Sequence, residues 1–67
     1  MNNFEKNVDE LKMELREIQV EYQAGANWVV LIKGTGAIEI NDELEVEVRE
    51  GKFPAKLKNK ALKILSK

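Results

Sequence analysis

Apolar positions recur along the first eighteen residues with helical spacing. Phe4, Val8, Leu11, Leu15 and Ile18 are four, three, four and three residues apart. This is one stripe on a helix, and it predicts a helix over residues 2–16. Asn2 is placed to act as N-cap, with Glu5 three residues on completing a capping-box-like start. Lys6 and Glu10 form an i,i+4 pair on the polar side. Ile18, Val20 and Tyr22 then alternate with Gln19, Glu21 and Gln23, which is the strand period. Tyr22 also continues the helical stripe, so the end of the helix is open; a break near Glu17 and a strand to Gln23 are favoured, with a turn over Ala24-Gly25-Ala26-Asn27.

Trp28-Val29-Val30-Leu31-Ile32-Lys33 is apolar on both strand faces and rich in β-branched residues, the mark of a central strand with something packed on each side. Trp28 is expected in the core. Gly34-Thr35-Gly36 predicts a tight hairpin turn, followed by a partner strand from Ala37 to Ile40 and a corner at Asn41-Asp42.

Residues 43–58 carry two alternations. Leu44, Val46 and Val48 alternate with Glu43, Glu45, Glu47 and Arg49. Phe53, Ala55 and Leu57 alternate with Lys52, Pro54, Lys56 and Lys58. Folded about Glu50-Gly51, the two halves form a hairpin. Val48 faces Phe53, Val46 faces Ala55 and Leu44 faces Leu57, while Glu45 meets Lys56 and Glu43 meets Lys58. Pro54 then sits at a position that does not bond into the ladder. The segment Leu44–Leu57 resembles the closing hairpin of the small barrel in aminomethyltransferase-type proteins. That likeness implies a hairpin and none of that family's substrate-binding residues.

A helix over 54–66 competes with this reading. Phe53, Leu57, Ala61, Ile64 and Leu65 fall on one side of a helical wheel, and Lys56, Lys60, Lys63 and Lys67 on the other. Proline suits a first helical turn.

The expected fold is α+β. An N-terminal amphipathic helix packs on a small, strongly bent antiparallel sheet of four or five strands, the outline also of Sm-like small barrels. The alternative is helix, three strands and a C-terminal helix, similar in element order to the small dimeric nucleoid-associated YbaB family. At 67 residues the chain is expected to form one domain, and a chain of this size buries only about 60% of its unfolded surface. Cysteine is absent, so disulfides cannot compensate. Self-association can, and a homo-oligomer is expected.

Charge is divided along the chain. Residues 1–50 hold all twelve acids and five bases, a balance of −7, whereas residues 51–67 hold six lysines and no acid. Lys52, Lys56, Lys58, Lys60 and Lys63 are the candidate contacts to a partner or to nucleic-acid phosphates. Pairing with the chain's own acids is the competing use, and the overall pI near 5.4 is unlike that of a nucleic-acid binder. A basic helix lying on a membrane surface is a weaker reading.

Histidine and cysteine are missing and Ser66 is the sole serine, so no nucleophile-base pair can be drawn and no enzyme is expected. The row Glu43, Glu45, Glu47 is the only carboxylate cluster. Its simplest reading is a solvated strand face rather than a Mg²⁺ or Ca²⁺ site. No metal or cofactor is expected. The start of the chain lacks the basic and apolar regions of a signal peptide, so a cytoplasmic location is the default expectation. The functional expectation is a small non-catalytic binding or regulatory protein. It would act as an inhibitor or adaptor through protein contacts, or sequester a ligand between subunits. Nucleic-acid binding through the lysine segment is the alternative.

Overall fold

A computed structural model describes residues 3–67. Asn2, the expected N-cap, lies outside the described residues. Helix α1 spans Asn3–Glu14, followed by strands β1 (Gln19–Glu21), β2 (Trp28–Lys33), β3 (Gly36–Asn41) and β4 (Val46–Glu50), and by helix α2 (Ala55–Leu65). The four strands form one antiparallel sheet in the order β1-β2-β3-β4. Every neighbour in sequence is a neighbour in space, so the sheet needs no crossover.

The stripe on α1 does what its spacing predicts. Phe4, Val8 and Leu11 are buried, and Leu15 and Ile18 carry the same buried line beyond the end of the helix. Val29 and Leu31 of β2 meet it from the sheet, together with Ile38 and Ile40 of β3. These pairs share one face by register: Val29 opposite Ile40, and Leu31 opposite Ile38. Tyr22 closes the edge of the core. Its ring meets Phe4 edge-on at 6.0 Å between centroids, and its hydroxyl donates to the Ala26 carbonyl at 3.1 Å.

Two features of the β2–β3 connection fix its glycines. Gly34, at φ +61, takes the first central position of the two-residue turn, where a positive φ favours glycine, as in type II′ turns. Gly36 has a different reason. The link from β4 to α2 crosses directly over it, and a Cβ there would collide with the Lys52 carbonyl.

The expected hairpin over residues 43–58 does not form. Its first half is a strand, but residues 55–65 are helical. The register pairs Val48/Phe53, Val46/Ala55, Leu44/Leu57, Glu45/Lys56 and Glu43/Lys58 are therefore absent. So is the hairpin implied by likeness to the aminomethyltransferase barrel. The sheet has the four strands of the first reading, and the chain ends in the helix of the alternative.

Energetics explain the choice. As a helix, residues 55–65 bury Leu57, Ala61, Ile64 and Leu65 against α1 and the sheet. Burial of each large side chain contributes about 1.5–3 kcal/mol. A cross-strand pair contributes only about 0.2–1 kcal/mol, and the hairpin takes Leu57 off the helical face that it shares with Ala61, Ile64 and Leu65. Pro54, at φ −57 and ψ 124, ends the extended link, and its carbonyl accepts the first helical bond from the Lys58 amide at 3.0 Å.

Candidate interaction site

The face of the sheet that carries the core does not stop at β3. Ile38 is opposite Val48 and Ile40 is opposite Val46, so the two valines lie on the same face as the core isoleucines. The helices roof only the first three strands. Ile38 and Ile40 are 2% and 0% exposed, whereas Val46 and Val48 are 37% and 65% exposed. An open trough of about 450 Å³ lies between β4 and the start of α2, lined by Ile38, Val46, Val48, Phe53 and Ala55 and rimmed by Lys52 and Lys58.

β4 is also an edge of the sheet. The opposite edge, β1, is three residues long and its core-facing Val20 is half-buried. All five residues of β4 are exposed. The strand is entered through a tight turn organised by Asn41. The Asn41 side-chain oxygen accepts from the amides of Glu43 and Glu45, both at 2.9 Å, and its amide nitrogen donates to Glu45 Oε1 at 2.7 Å. Leu44 is held within this turn at φ +65, a left-handed conformation that a leucine adopts only under local constraint. At the other end a bulge places Arg49 as an extra residue: Ile38 pairs with Val48, but Ala37 pairs with Glu50.

Arg49 falls on the outer face. Its Nε donates to Glu39 Oε1 at 3.0 Å, and a second guanidinium nitrogen meets the same oxygen. Its guanidinium carbon lies 5.8 Å from the centroid of the Trp28 ring, within the range of a cation–π contact. The hydrogen bond to Glu39, with that carboxylate's charge, raises the Arg49 guanidinium above its ordinary value. Trp28 is accordingly a half-buried residue of the outer face, not the core residue expected. Trp28, Val30 and Ile32 alternate with Val29 and Leu31, and both sets are apolar. The pattern could not say which set the helices cover.

The five lysines singled out from the sequence are not brought to one place. Lys52 is in the link before α2 and Lys58 is half-buried at the trough rim. Lys56, Lys60 and Lys63 are exposed on α2. Lys60 and Lys63 flank a shallow groove with Glu14, Leu15, Ile64 and Lys67. Among the described residues, no ion pair within 4.0 Å joins Lys52, Lys56, Lys58, Lys60 or Lys63 to an acid. Among the described residues, Lys67 is the lysine of the segment that forms an ion pair, with Glu10 of α1. No group of three carboxylates among the described residues is arranged to hold a metal ion. Among those residues, too, no helix is long and apolar enough to cross a membrane.

The residues that sequence reasoning passed over are Val46 and Val48 as an unroofed surface. The alternation placed them on an apolar face. Only the loss of the expected hairpin partner exposes them. Comparison with family models, with characterised proteins and with solved structures finds no match to this chain.

Proposed function

We propose that this chain is a small non-catalytic binding protein that works through protein–protein contacts, as inhibitors and adaptors do. The contact surface in this reading is the β4 edge with its trough. One observation carries it. The core face of the sheet runs past the helices onto Val46 and Val48, beside an edge with free backbone groups. Exposed apolar surface next to an unpaired strand is what strand addition by another chain uses.

Nucleic-acid binding is the second reading. It draws on the lysines of α2 that form no ion pair within 4.0 Å among the described residues, a condition that leaves their charge available to phosphates. Against it stands the balance of −7 over residues 1–50, which repels a polyanion.

Affinity capture with three baits separates the readings: the wild-type chain, Val48→Asp, and the triple variant K56Q/K60Q/K63Q. The protein-contact reading predicts a bound protein that Val48→Asp loses and the triple variant keeps. Recovery of nucleic acid that only the lysine variant loses would replace it with the second reading.

A further inference from the structure

We propose that the β4 edge takes up an extended segment of a different protein chain, in which apolar residues alternate with lysine or arginine. This rests on the protein-contact reading above and gives it a partner of defined chemistry.

Backbone geometry sets where such a segment bonds. The Asn41 amide donates to the Glu45 carbonyl at 3.1 Å, and the register continues through Ile40/Val46, Glu39/Glu47 and Ile38/Val48. Antiparallel pairs that exchange hydrogen bonds alternate with pairs that do not. Glu45 and Glu47 therefore turn their peptide groups toward β3, and Val46 and Val48 turn theirs outward. A fifth strand would bond at these two valines. The bulge at Arg49 ends the usable edge.

Side-chain chemistry then sets the partner's pattern. Residues of the added strand on the core side fall over the trough, against Val46, Val48 and Phe53, and need to be apolar. Residues on the outer side fall beside Glu45 and Glu47. Among the described residues no ion pair within 4.0 Å engages either carboxylate. Glu45 Oε1 already accepts from Asn41, so a basic side chain there meets two carboxylates that have no paired cation. Lys52 and Lys58 stand on the trough rim. They repel a basic residue placed on the core side and so exclude the segment slipped by one residue.

A second copy of this chain fits less well. Antiparallel self-pairing centred on Glu47 sets Glu47 against its own copy. Centred on Val46, it sets Glu47 against Glu45. Centred on Val48, it sets Glu47 opposite Arg49, which is displaced by the bulge and already engaged by Glu39. Like charges directly opposite are destabilising, so β4 discourages its own copy and favours a basic strand.

The test uses the full chain and soluble peptides of about eight residues, the length of a short strand. One alternates valine with lysine, one alternates valine with glutamate, and one holds the valines and lysines in two blocks. Binding is followed by amide chemical shifts, and mass by sedimentation. The alternating lysine peptide is expected to bind saturably, with the largest shifts at Val46 and Val48. Its affinity should exceed that of the glutamate peptide by about tenfold or more. Charge reversal by E45K/E47K should invert that preference, a result that loss of folding cannot mimic. Equal binding of both alternating peptides, preference for the blocked peptide, or shifts confined to α2 would overturn the proposal. A concentration-dependent mass that Val48→Asp abolishes would make a second copy the occupant instead. If no peptide binds but capture still depends on Val48, the protein-contact reading stands and the basic-strand partner is wrong. If capture does not depend on Val48 either, both fall.

Discussion

Asn7 of α1 donates its side-chain amide to the Leu65 carbonyl at the end of α2, at 3.1 Å, and to the Lys67 main-chain oxygen at 3.0 Å. The two acceptors require the nitrogen, not the oxygen, to face them. This contact completes the end of α2. The last four carbonyls of a helix have no partner within it. Here Leu62 accepts from the Ser66 amide, Lys63 from the Ser66 hydroxyl, Ile64 from the Lys67 amide and Leu65 from Asn7. Asn7 is only 7% exposed, so water cannot readily replace it.

Asn7→Ala is therefore expected to cost about 1–3 kcal/mol, the cost of leaving buried polar groups unpaired. Asn7→Asp keeps the shape but aims a carboxylate at two carbonyl oxygens. At neutral pH it is expected to be less stable than the alanine variant. The gap should close below the carboxylate range, where a protonated acid can donate. Urea unfolding of the three proteins at two pH values gives the order.

Lys56 lies in the first turn of α2, an end that has no acidic residue and no side-chain cap. The helix dipole disfavours a cation there. Had the hairpin formed, Lys56 would have met Glu45, and its reversal would have lowered stability. In the helix the sign changes. Lys56→Glu is expected to raise stability by about 0.3–1 kcal/mol, read as a higher midpoint in a thermal melt.

Gly36→Ala tests the crossing of the β4–α2 link over β3. The added methyl meets backbone, not a flexible side-chain end, so the link must shift. A loss of about 1–3 kcal/mol or more is expected, with chemical-shift changes centred on Lys52 and Phe53. Gly25, which has open space around its Cβ position but φ +88, is the control. Gly25→Ala is strained at its own site and should leave residues 51–53 unmoved.

The pair of Lys67 and Glu10 has a signature in alkali. The hydrogen bond to Glu10 raises the Lys67 amine above its ordinary value of 10.5. A base with a raised folded value stabilises fully below its unfolded value and loses that contribution as pH climbs through the folded one. Lys67→Gln should therefore melt below wild type at neutral pH, and the two curves should converge as the pH rises through the raised Lys67 value. A gap that persists above it would mean that Lys67 acts through packing instead.

How much of this was legible depends on how local the cause is. The α1 stripe, β2 and the glycine turn follow from spacings of a few residues, and they stand where those spacings put them. Residues 52–58 carry both periods at once. Lys52, Pro54, Lys56 and Lys58 alternate as in a strand, while Leu57, Ala61, Ile64 and Leu65 recur as in a helix. What decides between them is burial against α1, at the other end of the chain. Asn7 gave no local signal for the same reason: its partner is 58 residues away. The trough was hidden behind the hairpin reading, because the segment expected to cover Val46 and Val48 is used elsewhere.

Amide hydrogen exchange of the isolated monomer tests the open β4 edge most directly. Glu47 turns its amide toward β3, and Val46 and Val48 turn theirs to solvent. The two valines are expected to exchange at least about tenfold faster than Glu47, a difference of about 1.4 kcal/mol in protection. They should slow when the alternating lysine peptide is added. Equal protection of Val46, Glu47 and Val48 in the free monomer would mean that the edge is already covered, and would contradict the account.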